Sequence, residues 1–441
     1  MVTEASYRSL FARDRRALVL AASGASFLVS FDALMLAASL PSAARDLAGL
    51  ERFSLVVGAY AIMLVLGLPV SGWLIARAGP LRALIAGVVL YAADAVIGVL
   101  APTIEVLAAG RAVTGLGGGM LLAAPPAIYT IALAEPLRRY AYGLNSAVWG
   151  LSALLGPLLG SFLASGPGWR WVFVAELVPL VITLTLALGG ARGVAGHVET
   201  GGGRLAPAGP VLLALATLAL LVEPTVAIVP VVLFLWHERR TSGPVFPATR
   251  PGRRVSILIL ASGIAFMGSQ AFVVLDLQSG AGWSVGQTAL PLIAATVAWT
   301  IGSVAAAPLH LDPDRQLVIG HIGVVAGCAV MALPVTGGAA VAAGITLAGF
   351  GMGVQSPAAF IAIAPDGDPR AAAAVPLARN LGAGVGVAAA GAVITAVAGS
   401  VALAAAQDGA VVHALHSAAQ TWFLLAAVVC AAALPLIRLI R

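Results

Sequence analysis

Long apolar runs of roughly 20 residues cut this chain into pieces of one recurring length. That length crosses about 30 Å of hydrocarbon at about 1.5 Å per residue. With 60% of the residues hydrophobic and 10% charged, little is left to make a water-facing surface. The pattern predicts an all-α polytopic membrane protein, because a helix satisfies its own backbone hydrogen bonds where no water is present. Function is then to be sought in the few polar groups inside the runs, each costly to bury there.

Twelve spans are clear: 17–40, 54–75, 83–101, 106–133, 141–164, 171–190, 255–276, 287–309, 316–334, 339–364, 371–403 and 414–437. The first follows Arg8, Arg13, Arg15 and Arg16 and exceeds the roughly 7–15 apolar residues of a cleaved signal peptide. It reads as a retained span. The segment 206–237 carries Glu223-Pro224 in its middle and is either one kinked crossing or a hairpin of two short helices. Arginine decides, and the chain has no lysine. An even number of crossings puts 19 arginines in loops on the N-terminal side and three on the other, Arg45, Arg52 and Arg170. A single crossing makes the split 10 against 12. Positive-inside bias selects the hairpin, with a re-entrant or surface-lying pair of the same parity as the alternative, and both termini are expected on the cytoplasmic side of a bacterial inner membrane.

The expected plan is two six-helix bundles, 1–190 and 255–441, around a connector, 191–254, that holds the extra short hairpin. The net charge of +6 suggests nucleic acid, but arginines confined to short loops report topology instead. Cys328 and Cys430 lie inside apolar runs and read as free packing residues. His310, His321, His413 and His416 show no metal-ligand spacing.

Four stretches say more: SFDALMLAASLPSAARDL in span 1, SGWLIARAGPLRAL between spans 2 and 3, AAGRAVTGLGGGM in span 4 and GLSALLGPLLGSFLA in span 5. In order and spacing they resemble the signature segments of the major facilitator superfamily, and most of all its fourteen-span drug:proton antiporters. The resemblance covers nearly the whole chain. It implies a bilobed helical fold, alternating access driven by a proton gradient with no other cofactor, and export. Asp32 matches the family's span-1 acid and Arg111 its span-4 arginine. Gly156, Pro157 and Gly160 match the exporter motif of span 5. In the cytoplasmic connector Gly72, Arg77 and Gly79 match, but Ala76 stands where the family has an acid and Pro80 where it has a base. That leaves the family's charged latch in doubt.

Physical chemistry supports the same residues independently. Low dielectric favours the neutral form of a carboxyl, which is what carrying a proton requires. Asp32 therefore reads as carrier of the coupled proton or counter-charge for a cationic substrate, with a paired structural acid as the alternative. Arg111 cannot shed its charge and needs an acid, carbonyls or water nearby; it reads as tuning the acid's hold on its proton, with a snorkelling arginine as the alternative. Asp94, in span 3, reads as a pore-lining or structural acid, with a second proton site or cation-binding acid as the alternative. Tyr129, Asn145, Trp149, Phe266, Gln270 and Gln355 are polar or aromatic groups of which some are suited to line a substrate cavity, with ordinary helix packing an equal alternative for each taken singly. Asp276 is expected near the outer surface, guarding an exit. Glu176 and His416 read as interfacial, and Arg379 as a helix-end anchor to lipid headgroups. The glycine runs lack a preceding strand and a GK[ST], so they are helix-packing surfaces, not phosphate loops.

The expected protein is a monomeric exporter of lipophilic or cationic small molecules, exchanging them for protons, with membrane lipids and no nucleic acid as partners. An exporter of lipids or secondary metabolites, or a membrane scaffold or sensor built on the same fold, are the alternatives. No cluster of acids or histidines suggests an enzyme.

Overall fold

The computed structural model describes residues 5–194, 208–222, 226, 228–241, 245–247, 249–279, 281–333, 338–363, 371–398 and 409–435. Among the described residues there is no strand, and twelve helices are long and apolar enough to cross a membrane. The helices are α1 (Arg16–Asp46), α2 (Phe53–Ala78), α3 (Pro80–Leu100), α4 (Ile104–Ala132), α5 (Glu135–Ser165), α6 (Arg170–Val194), α7 (Ala208–Val222), α8 (Ile228–Arg240), α9 (Arg250–Ser279), α10 (Val285–Ala306), α11 (Pro313–Met331), α12 (Ala339–Ile363), α13 (Ala374–Ala398) and α14 (Gly409–Ala433).

The central segment is two helices that pack on each other, α7 of 15 residues and α8 of 13. At about 1.5 Å per residue each reaches only about 20 Å, short of a full hydrocarbon thickness. Glu223 and Pro224, expected at the break, lie outside the described residues.

Local chemistry sets the boundaries. Gly79 ends α2 with φ +85°, a backbone that side-chain-bearing residues avoid, and Pro80 opens α3 at once. Thr103 caps α4 by accepting the Val106 N–H. Ser284 and Gln287 form a reciprocal capping box on α10, and Asp312 accepts from the Asp314 N–H at the start of α11.

The helices fall into two compact units, one of residues 1–248 and 364–377, the other of residues 249–363 and 378–441. In the first, α1 packs against α4, α5 and α6, α3 against α4 and α6, and α2 against α4. The first connector helix, α7, also rests on α2, so that unit extends past the boundary at 190 expected from sequence. In the second, α12 packs against α9, α10 and α11, and α14 against α9 and α11. The pairing of α2 with α4 recurs as α10 with α12, and α1 with α6 as α9 with α14. That recurrence marks an internal repeat.

Helix α5 shows how glycine and leucine sort in such a bundle. Leu158 and Phe162 stand 69% and 67% exposed, where lipid would lie. Gly156 and Gly160, on the opposite side, are buried against α1: a β-carbon at either would collide with Leu34 or the Met35 carbonyl. Small residues four apart let the two backbones approach as no larger side chain would permit.

Candidate functional site

Inside the first unit, four helices deliver ionisable groups to one dry spot. Asp32 stands midway along α1, Asp94 on α3, Arg111 on α4 and Glu176 on α6, all between 0% and 2% exposed. Arg111 donates through Nη1 to Asp32 Oδ1 at 2.8 Å and through Nη2 to Asp32 Oδ2 at 2.6 Å. The same Nη1 also donates to Asp94 Oδ2 at 2.9 Å. The Arg111 guanidinium lies 5.0 Å from the centre of the Tyr60 ring on α2, a cation–π arrangement. Glu176 stands beside Asp32, with Arg111 and Asp94 as its other charged neighbours, and Tyr60 and Tyr91 share the same surroundings.

Two carboxyls thus share one guanidinium, and a third stands alongside without a bond to it. The Arg111–Asp32 pair is bidentate, the geometry that makes an arginine–carboxylate contact strong. Its burial removes water that would otherwise screen the remaining negative charge. Gly110 makes room for this. A side chain there would collide with Asp94 Oδ1.

The structure brings together the three residues assigned to proton handling from sequence, Asp32, Asp94 and Arg111, and corrects the reading of a fourth. Glu176 is not interfacial. It is 2% exposed and belongs to the charged cluster. The fold, not the sequence, reveals its face: Val172, Phe173, Glu176, Leu180, Thr183 and Ala187 are all buried, and their spacing makes one side of a helix. In an otherwise apolar helix no polar stripe marks that face as the inner one.

The residues assigned to a substrate cavity divide. Asn145 accepts from Ser26 Oγ at 2.5 Å and keeps exposed surface, as do Trp149 and Gln270. Tyr129, by contrast, is buried in the first unit, its hydroxyl 3.5 Å from Ser23 Oγ and its ring edge-on to Tyr142. Phe266 and Gln355 are buried in the second unit, Phe266 edge-on to Trp299 and Gln355 accepting from Ser262. These three serve packing in this arrangement.

Two more expectations in the second unit change. Asp276 is 3% exposed and takes His416 Nδ1 at 2.6 Å, so it is a buried paired acid and not an exposed guard. Its partner, the half-buried His416, is no mere interfacial residue. The side chain of His413 lies outside the described residues. Arg379 turns toward its neighbouring helices, donating to Ser356 Oγ at 3.0 Å with its guanidinium 5.1 Å from the Trp299 ring centre. It is not held as a headgroup anchor.

Sequence reading missed a hydrogen-bonded knot across α9, α11, α12 and α14. Ser262 Oγ lies 2.9 Å from His321 Nδ1 and donates to Gln355 Oε1, while His321 Nε2 lies 2.8 Å from the Cys430 carbonyl. It ties four apolar helices by polar contacts within hydrocarbon. Among the described residues no group of His, Cys, Asp or Glu is placed to hold a metal ion.

In the connector, Arg77 is exposed with its guanidinium 4.9 Å from the Trp73 ring centre, and Gly79 makes the turn into α3. Ala76, where an acid was expected by resemblance, is 7% exposed. Gly72 has open space about its α-carbon.

Twelve apolar helices in two repeated units, one enclosing a buried ion-pair cluster, define a multi-pass membrane transporter fold. The chain belongs to the major facilitator superfamily, whose family model it matches over residues 22–391. It is 27% identical to the multidrug efflux pump SdrM of Staphylococcus aureus over 62% of its own length, and spans 64% of that relative. With a probable multidrug-efflux transporter of Mycobacterium tuberculosis it shares 26% identity over 72% of this chain and 70% of the relative. Among solved structures, the human organic anion transporter MFSD10 superposes with a TM-score of 0.70 at 14% identity, over 97% of this chain and 100% of that one. The Escherichia coli fucose:proton symporter gives 0.65 at 15%, over 96% and 98%. At such identities these structures speak for the fold alone.

Proposed function

We propose that the protein is a proton-coupled exporter of lipophilic or cationic small molecules, working by alternating access with both termini in the cytoplasm. The observation that carries the reading is the sharing of Arg111 between Asp32 and Asp94 with Glu176 alongside. One fixed positive charge among three acids makes the energy of this packing depend on how many protons the acids hold. Protonating Asp32 removes the charge that ties α1 to α4 and frees the guanidinium for Asp94. Losing that proton rebuilds the bidentate pair. A proton entering from one side and leaving on the other is thereby linked to the packing of α1 against α4.

Relatives named as multidrug efflux pumps support the direction and the cargo class. The excess of acids over arginine favours a cation as the species exchanged for protons. A lipid or secondary-metabolite cargo would use the same proton machinery and differ only in what is carried.

The test is export of ethidium, a lipophilic cation, from cells and its uptake into everted vesicles under an imposed pH gradient. The native protein is expected to move ethidium in response to the gradient. A protein present in the membrane that moves neither ethidium nor protons would refute the reading.

A further inference from the structure

Glu176 has no cation of its own. Arg111 spends both terminal nitrogens on Asp32 and Asp94, and Glu176 Oε1 is buried without a hydrogen-bond partner. Among the described residues, the ionisable groups around it are Asp32 from α1, Tyr60 from α2, Tyr91 and Asp94 from α3, and Arg111 from α4. With all three acids ionised, a space closed to water would hold two uncompensated negative charges, an arrangement whose cost far exceeds that of a lone buried hydrogen bond. A proton on Glu176 relieves it. The acid then donates to the Asp32 carboxylate it stands beside, and Asp32 still keeps both bonds from Arg111.

We propose that Glu176 is a second proton-carrying residue of the cluster, holding an exchangeable proton in this packing and yielding it to water when the first unit rearranges. The O–H bond of the acid breaks, the proton passes to water, and the carboxylate stays on α6. This deepens the exporter reading and rests on it for the word "exchange", but the proton itself is observable without transport. With Asp32, it gives the cluster two exchangeable protons.

Glutamine at this position keeps the shape and a donor toward Asp32 while losing the proton, so it separates carriage from structural support. In infrared difference spectra of reconstituted protein between acid and neutral pH, the native chain is expected to show a carboxylic C=O band that Glu176→Gln removes and Asp32→Asn retains. In vesicles with no membrane potential, a one-unit pH gradient is expected to sustain an ethidium gradient about tenfold smaller for Glu176→Gln than for the native protein, one proton being lost from the exchange. An unchanged band pattern, or a native ethidium gradient, in Glu176→Gln would overturn the proposal. Should that variant fail to fold, Glu176→Asp replaces it: a displaced band supports carriage and an unmoved one overturns it. If ethidium is not transported at all while the Glu176 band is lost on substitution, the exporter reading fails and the buried proton stands.

Discussion

Arg111 grips Asp32 with two parallel hydrogen bonds, although the two residues are 79 positions apart and sit on different helices. Both are sealed from water, at 2% and 0% side-chain exposure. A contact of this kind is sensitive to a single proton in a way that a surface ion pair is not.

Asp32→Asn keeps the size of the side chain and one acceptor for Arg111, but cannot change charge. Gradient-driven ethidium efflux is expected to fall at least 100-fold (on the order of the ~2.7 kcal/mol of a lost coupling contact), with membrane expression unchanged. Normal efflux from a well-expressed variant would remove Asp32 from the coupling path.

Arg111→Leu leaves three carboxyls without their counter-charge. A loss of about 3–5 kcal/mol is expected for such a broken buried pair, read as a lower Tm in detergent. Adding Asp32→Leu should recover part of the Tm while leaving transport dead, because an apolar pair replaces one buried ion pair at little cost while Asp94 stays without its counter-charge. A double variant no more stable than the single one would contradict the pairing.

Gly160→Val places side-chain atoms where the Met35 carbonyl of α1 already lies. Overpacking of about 1–3 kcal/mol is expected, together with loss of efflux, as α1 and α5 are forced apart. A cysteine pair across the two helices should cross-link in the native protein and more slowly in the valine variant; equal rates would show that the helices do not depend on that close approach.

His416→Ala strands the buried Asp276 carboxyl that it meets at 2.6 Å. A loss of about 1–3 kcal/mol is expected, while Asp276→Asn combined with His416→Ala should cost less than the sum of the single changes. Additive costs in that double-mutant cycle would mean the contact contributes nothing.

Which residues matter was easier to read from the sequence than which residues meet. Asp32 and Arg111 stand out because charge inside a hydrocarbon-length run has few innocent explanations. Gly156 and Gly160 stand out by resemblance to a family motif, and their seat on Leu34 and Met35 gives that motif a physical reason. What stayed hidden was rotation about each helix axis. Helix α6 is apolar on every side, so nothing in its sequence says whether Glu176 looks inward or toward headgroups; the packing of α6 on α1 and α3 decides it. The same ambiguity made Tyr129, Phe266 and Gln355 look like cavity residues, and left the partnership of Asp276 with His416 unreadable. Helix pairing in an all-apolar bundle depends on backbone approach and on contacts between residues far apart in the chain, and a hydrophobic period does not encode either.

One helix links two features that were noticed separately. On one flank α1 holds Asp32 to Arg111, and on another it lies against the Gly156–Gly160 surface, where Ser30 also donates to Ser152 Oγ at 2.7 Å. The bare glycine surface lets the two backbones come closer than any β-carbon would allow, while Ser30–Ser152 and Ser26–Asn145 peg α1 to α5 in one register. Any shift of α1 along α5 would have to break those pegs, and it would carry the Asp32 carboxylate past Arg111 in the same movement.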